Sequence, residues 1–584
     1  MIKSKSYGPV GSDTEKRILI LRWLVFGMFF IVALRLVQVQ IFEHSKYEEE
    51  GRVEHSRKWE LKADRGTIYI KDGAAGVVPV AMNVAVYNLA VSPKDLRDNP
   101  DNVAERISGA IGADKAKLRG LIEGSKSSGY VLLASRLSRE SAKKVKALDI
   151  YGLFLEPVPQ RQYPEGNLAA HTLGFVNTEG KGQYGVEQFY DTELAGKAGL
   201  LKSVATAGGD PLLLPGDDES IEIPPVQGKD IVLSLDRNLQ SKIEEIAKTR
   251  SGEFQSNSVS ILVMDAGTGK IKAMTSTPTY DPAEYYKAES VDAFMDRNIG
   301  DAQELGSIIK VLTVAAGINE GVVNKNTTYN NTGSVQVGDR VIKNATPSHQ
   351  GIITITDVLK YSLNTGVVFT LRQLGGGDIN DQAKTKLYDY FYNRFRLGQN
   401  TGVDVAGEED GVIFKPDDDE GNAVRYSNMT FGQGISSTPV QAAAALGSVL
   451  NGGNYISPSV VESIGGEEVK PKILQSGVVS AQTSTEIKDI LVQAPKIQQR
   501  DGYRIGRKTG TAQLLDSDGT YSKTRARGTT YGFLETGEGT FVIMVKVEEP
   551  PLLGKSGFAG TDTAIPIFED TLGWIVDYYR PKKL

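Results

Sequence analysis

Residues Glu304–Ile318 read Glu-Leu-Gly-Ser-Ile-Ile-Lys-Val-Leu-Thr-Val-Ala-Ala-Gly-Ile, and they constrain the fold more than any other stretch. From Ser307 onward the segment is apolar on every side for more than two turns, which predicts a helix buried all round. A chain that holds such a helix must build layers around it. The one exception is Lys310, because a buried ammonium is costly unless it is paired or neutral. Desolvation lowers a lysine pKa and can leave a free amine able to take a proton. Ser307 lies three residues earlier, on the same helical face. It follows Gly306 at the helix start, where the positive end of the dipole favours a developing oxyanion. A hydroxyl beside an activated base is the arrangement that covalent catalysis requires. From this segment alone, an ion pair between Lys310 and an acid elsewhere in the chain explains the lysine equally well.

The spacing Ser-x-x-Lys is weak by itself. Ser141-Ala-Lys-Lys144 matches it too, in a charged helix that reads as a solvated face. Two later motifs add weight. Ser362-Leu-Asn364 follows the apolar run Ile353–Leu359, and Lys508-Thr-Gly-Thr511 follows the strand-like Tyr503-Arg-Ile505. The three occur in the order SxxK, SxN, KTG, about 55 and 145 residues apart, which is the signature of penicillin-recognising serine acyltransferases.

On these residues the chain resembles the class B penicillin-binding proteins, the membrane-anchored transpeptidases of bacterial cell-wall synthesis, and most of all their division-specific branch. The resemblance runs nearly the whole length. Ala63-Asp-Arg-Gly-Thr-Ile68, Gln160-Arg-Gln-Tyr-Pro-Glu-Gly166, Ala169-Ala-His-Thr-Leu-Gly174 and Gly185-Val-Glu-Gln-Phe-Tyr-Asp191 resemble that family's non-catalytic pedestal. Phe431-Gly-Gln-Gly-Ile-Ser436, with Thr438-Pro439, resembles the segment that adjoins KTG in space. Leu305, Ile308 and Ile309 depart from the Pro and Thr-Phe or Thr-Met usual there, at positions expected to face packing. Thr529-Thr-Tyr-Gly532-Phe departs from Ser-Phe-Val-Gly-Phe near the sheet edge.

The resemblance implies an α+β fold: a transpeptidase domain with an antiparallel sheet flanked by helices, an elongated N-terminal pedestal and one transmembrane helix. It implies that Ser307 attacks the penultimate D-Ala carbonyl of a peptidoglycan stem peptide and is acylated by β-lactams. Lys310 would be the base, Ser362 a proton relay, and Asn364 would hold both the substrate amide and Lys310. Lys508 would supply positive field, while Thr509 and Thr511, flanking Gly510, would anchor the substrate carboxylate. Backbone N–H groups of Ser307 and Thr511 would form the oxyanion hole. The implied partners are stem peptides, β-lactams, a membrane glycan polymerase of the SEDS type and other division proteins. Three alternatives stay open. An elongation-specific transpeptidase is the nearest, since only the Tyr503–Gln513 stretch and the length favour division. A non-catalytic activator of the polymerase is the second. A β-lactamase or β-lactam sensor is the third, opposed by the pedestal motifs and the lack of a clear deacylating glutamate.

The N-terminus bears on the compartment. Trp23–Leu34 carries no charge, and apolar flanks extend it from Ile18 to about Val39, long enough to cross a bilayer. No small-x-small cleavage site follows, so a retained anchor is expected rather than a removed signal. Lys3, Lys5, Lys16 and Arg17 precede the segment, while Glu43, Glu48, Glu49 and Glu50 follow it. That places the N-terminus in the cytoplasm and the bulk of the chain outside the bacterial cell membrane. The expected division is a tail over 1–17, an anchor over 18–42, a pedestal over 43–206, a Gly/Pro/acid-rich linker over 207–228 and a transpeptidase domain over 229–584. Strands and linker follow the anchor where a glycosyltransferase domain would stand, so glycan polymerisation by this chain is not expected.

Composition removes other classes. Acidic residues outnumber basic ones, 72 against 66, and no basic stripe marks a nucleic-acid surface. Cysteine is absent, which excludes disulfides, thiol nucleophiles and cysteine-ligated metals. The four histidines (His44, His55, His171, His349) form no metal-ligand spacing. Neither a metal nor an organic cofactor is expected.

Overall fold

The computed structural model of the protein describes residues 12–44, 46, 56–205, 211–212, 221–494, 497–516, 520–551 and 559–584. Lys3, Lys5 and Glu48–Glu50, used above to orient the anchor, lie outside them. The N-terminal helix Ser12–Val37 continues as a wider turn over Gln38–Phe42. Among the described residues it is the one helix long and apolar enough to cross a membrane, with a mean hydropathy of 2.2 over its most apolar window.

The described parts of 1–63 and 197–226 form one compact unit. In it Ser56–Leu61 and Ile221–Ile223 flank Gly199–Ala205, both antiparallel, and Pro211–Leu212 pairs with the far end of the same strand. This corrects the linker expected over 207–228. Its described pieces are strand residues and loop, while 207–210 and 213–220 lie outside the described residues.

Residues 64–196 and 227–584 form the second unit. The expected boundary at 228/229 does not separate these two segments, because hydrogen bonds cross it. Ile231–Asp236 runs parallel to Ile68–Lys71 on one side and antiparallel to Val461–Ile464 on the other. The resulting seven-stranded sheet continues through Val77–Val91 to Val131–Leu137 and Leu153–Gln162. Beyond it, helices Pro100–Ile111, Lys115–Gly124 and Arg139–Lys146 cover a small core around Leu89, Val103, Ile107 and Leu133. Ser141 caps no catalytic turn. It lies in the first turn of Arg139–Lys146, and Lys144 there is exposed and paired with Glu140.

Three of the four pedestal motifs meet in one buried ion cluster. Glu187 is fully buried and accepts from Arg65 and Arg161, both at 2.7 Å. Arg65 also reaches Asp191 at 2.7 Å, and Arg161 donates to the Gly66 carbonyl at 2.8 Å. Distant motifs thus share a carboxylate that no local pattern could supply.

The catalytic half is built on a five-stranded antiparallel sheet in the order Ile271–Ser276, Ser258–Asp265, Gly539–Glu548, Tyr521–Thr536, Arg504–Leu515. Ser258–Asp265 shows no alternation, because both faces of the sheet are covered. Val259, Ile261 and Val263 pack against helices Arg237–Phe254 and Ile565–Tyr579. Leu262 and Met264 face the larger core, which holds helices Lys310–Asn319 and Pro439–Leu450. Every residue from Lys310 to Ile318 is buried. The layered surroundings that this apolar segment demands are therefore present.

Glu187→Gln should destabilise the protein by about 3 to 5 kcal/mol, because two buried guanidinium groups lose their shared counter-charge. Denaturant unfolding of the two proteins at one pH measures it.

Candidate active site

Ser307 sits in a 3₁₀ turn, Gly306–Ile309, that runs directly into the helix Lys310–Asn319. In that geometry side chains three apart eclipse each other, so Ser307 and Lys310 stack along one edge. Leu305, Ile308 and Ile309 are all buried, so the unusual residues beside the serine face packing.

Lys310 is 1% exposed. Its Nζ donates to the carbonyl of Ser362 at 2.6 Å and to the hydroxyl of the same residue at 3.1 Å. No acid pairs with it among these contacts. Burial first, and the nearby charge of Lys508 second, push its pKa well below the ordinary lysine value. Lys508 is buried as well, and burial lowers its pKa to about 7. Its Nζ donates to the Ser362 hydroxyl at 2.9 Å and to the Thr509 carbonyl at 2.8 Å. One hydroxyl therefore lies between two desolvated amines.

The backbone explains how Ser362 presents both of its oxygens to Lys310. Helix Ile355–Lys360 ends at Tyr361, and Ser362 then adopts the left-handed conformation (φ 58°). The Leu363 N–H reaches back to the Val358 carbonyl at 2.9 Å, the long bond of a Schellman stop. Glycine usually occupies this position, and a side chain there costs on the order of 1 kcal/mol. The bonds from Lys310 and Lys508 offset that strain. Asn364 opens the next helix, Asn364–Leu374. Its carboxamide donates to the Lys343 carbonyl at 2.8 Å. That departs from the expectation that Asn364 holds Lys310: the left-handed Ser362 already supplies both oxygen partners of the amine.

Lys508–Thr511 lies on the edge strand Arg504–Leu515, in register with Tyr531 through Gly528. Alternation turns Thr509 and Thr511 to the opposite face from Lys508. There the Thr511 hydroxyl accepts from the Gly560 N–H at 3.2 Å, at the start of the last helical segment. Both threonines still line the cleft.

Backbone contact holds the turn that carries Ser307. The Gly306 N–H donates to the Gly432 carbonyl at 3.3 Å. A Cβ on Gly432 would stand 2.1 Å from the Gly306 carbonyl oxygen, and Gly432 has φ 79°. Gly432 of the Phe431-Gly-Gln-Gly loop is thus required where it presses on the turn that carries Ser307. Sequence spacing gave no sign of that contact.

These groups open into one cleft of about 1170 Å³. Ser307 forms part of its lining, with Ser362 and Asn364 on one side and Lys508–Thr511 on the other. Lys343–Thr346, His349 and Tyr361 extend the first wall, the last two rings stacked at 3.6 Å. Lys310 is buried and meets this lining through the two oxygens of Ser362. The structure thus brings together Ser307, Ser362, Asn364, Lys508, Thr509, Gly510 and Thr511 from segments about 200 residues apart.

A family profile described as the penicillin binding protein transpeptidase domain matches residues 259–573, and one described as the penicillin-binding protein dimerisation domain matches 60–233. The chain belongs to the class B penicillin-binding proteins. It is 30% identical to Stage V sporulation protein D of Bacillus subtilis over 571 residues, covering 95% of this chain and 84% of the relative. It is 25% identical to peptidoglycan D,D-transpeptidase FtsI of Escherichia coli K12, covering 95% and 90%. Penicillin-binding protein 2X of Streptococcus thermophilus shares the fold with a TM-score of 0.71 at 23% identity, covering 88% of this chain and 80% of that one. Penicillin-binding protein 3 of Mycobacterium tuberculosis, solved with aztreonam, does so at 0.66 and 22%, covering 90% and 98%.

The buried amine of this class B protein leaves a mark on its stability. Unfolded Lys508 binds its proton up to about pH 10.5, whereas the folded amine releases it near pH 7. Between those values the unfolded state holds more protons, so stability rises with pH, by up to about 1.4 kcal/mol per pH unit from this group. Lys508→Met should be more stable than the parent at pH 6 to 7, and the gap should narrow toward pH 10. Thermal unfolding of both proteins across that range checks the sign.

Proposed function

We propose that this chain is a serine D,D-transpeptidase that cross-links peptidoglycan stem peptides through an acyl-enzyme on Ser307. The observation that carries the reading is the Ser362 hydroxyl bridged by Lys310 and Lys508 inside the cleft that Ser307 lines.

The chemistry follows from proton placement. A neutral Lys310 has two N–H groups and one lone pair. The Ser362 carbonyl takes one N–H, and the lone pair is left to accept a proton from a hydroxyl. Ser307 Oγ attacks the penultimate D-Ala carbonyl carbon, and its proton passes to Lys310 Nζ. The oxyanion lies against the amides of Ser307 and Thr511, each donor typically worth about 3 to 4 kcal/mol. Ser362, already accepting from Lys508, gives its hydroxyl proton to the departing nitrogen and takes the one now on Lys310 Nζ in its place. The C–N bond breaks, terminal D-Ala leaves, and an ester to Ser307 remains. An amine of a second stem peptide then attacks the ester, returning the proton by the same route. Asn364 would hold the substrate amide, and Thr509, Thr511 and Lys508 its carboxylate. A β-lactam would enter the same path and stop at the ester.

The wider reading follows the resemblance. The helix Lys16–Phe42 would anchor the chain in the cell membrane, with the catalytic unit outside. The partners would be a SEDS-type glycan polymerase and other division proteins, and the site of work the septum. A rod-shaped host depleted of the protein should form filaments; spheres would indicate the elongation role instead.

Labelled penicillin tests the core of the proposal. The parent protein should be covalently labelled, and Ser307→Ala should take no label while keeping its melting temperature. Labelling of that variant would refute the assignment. Ser362→Gly suits the left-handed turn and removes the hydroxymethyl side chain, so it should fold normally yet acylate about 10²- to 10⁴-fold more slowly. The second-order acylation constant reports the free enzyme, and should fall as pH rises through about 7, where Lys508 loses its charge. A bound carboxylate favours the charged amine, so the first-order rate within the complex should hold to higher pH. Stopped-flow acylation across pH 5 to 10 separates the two constants.

A further inference from the structure

Carbonyl oxygens of the nucleophile turn and of the two residues before it are gripped from outside by a single strand. Arg527, Thr529 and Tyr531 are alternate residues of Tyr521–Thr536, so they share one face of the sheet. Arg527 donates to the Glu304 carbonyl at 3.0 Å, Thr529 to Leu305 at 2.8 Å and Tyr531 to Ile308 at 2.7 Å. All three side chains are buried. Each is itself held in place. Arg527 forms a two-point ion pair with Glu548, both bonds 2.6 Å. Thr529 stands opposite Gly510, and Tyr531 opposite Lys508.

The Gly510 pairing is informative. A Cβ on Gly510 would fall 2.3 Å from the Thr529 hydroxyl oxygen and 2.7 Å from the Leu305 carbonyl oxygen. Thr529 therefore reaches the turn through the space that the glycine of KTG leaves open. At the upstream end, Lys546 pairs with Asp301, and Gln303 also donates to Asp301, at 2.9 Å. The segment from Asp301 to Ile308 is thus fastened to the sheet along its length.

We propose that Arg527, Thr529 and Tyr531 are positioning residues that set the Ser307 amide and hydroxyl against the KTG strand. The edge strand, which carries one oxyanion donor, and the turn, which carries the other, are both registered on the strand between Gly539–Glu548 and Arg504–Leu515. The spacing of the oxyanion hole is then a property of that neighbouring strand. Substrate or β-lactam touches none of the three side chains in this scheme. Their loss should slow the acylation step and leave formation of the initial complex nearly unchanged. This inference rests on the assignment of Ser307 as nucleophile.

The test uses the full chain and a chromogenic or labelled penicillin, with initial-complex affinity and limiting acylation rate measured separately. Thr529→Val keeps the shape and removes the donor, and its limiting rate should fall about tenfold or more, with affinity changed less than about threefold. Thr529→Ser restores the hydroxyl and should bring the rate back to within about threefold of the parent. Tyr531→Phe should behave as Thr529→Val does; should it fail to fold, the threonine pair decides alone. A Thr529→Val protein acylating at the parental rate would overturn the inference, as would a Thr529→Ser protein slowed as much as Thr529→Val. In either case normal labelling of the parent leaves the Ser307 assignment standing. A parent protein that takes no label overturns both.

Discussion

Two amines converging on one hydroxyl are the constraint around which the rest of this molecule is arranged. Neither lysine is tolerable in a protein interior as a fully charged, unpartnered group, and the two repel each other when both are charged. The interior resolves this by depressing both pKa values and sharing a serine oxygen between them. Everything nearby serves that placement. A left-handed residue turns its carbonyl and hydroxyl the same way, and an apolar helix keeps water from Lys310. An edge strand delivers Lys508 from the opposite side.

The grouping of Ser307, Ser362 and Lys508 was legible in the sequence because they sit in short motifs with a mechanism attached. Lys310 stood out as the single charge in an oily segment, a pattern that foretold its burial but left open whether an acid would meet it; the fold supplies Ser362 oxygens instead. Two of the sheet's antiparallel connections carry turn residues between apolar runs, at Asp265–Gly269 and Thr536–Gly539. The strand Tyr521–Thr536 extends well upstream of its apolar end. Polar residues such as Arg527 belong to it because their partners lie elsewhere in the fold.

Other features depended on contacts that no local window contains. The supposed linker contributes strand residues because Gly199–Ala205 offers them a partner. The motif Phe431–Ser436 could be matched by resemblance, yet its glycines have a physical reason only once Gly306 is seen against Gly432. Asn364 bonds to Lys343 because the Schellman stop before it directs Ser362, and not the asparagine, at the amine. Arg65, Arg161 and Glu187 were each noticed as part of separate motifs. Only the folded chain shows that they neutralise one another.

The strand Ile231–Asp236 has its own significance, since it is bordered on one side by Ile68–Lys71 and on the other by Val461–Ile464. Trimming the molecule to begin at residue 229 would strip away the first neighbour and bare a row of unpaired amides and carbonyls. Such an uncovered border invites pairing with a second molecule. A soluble fragment prepared for crystallography or inhibitor screening therefore needs to begin upstream of residue 68 to keep that border covered.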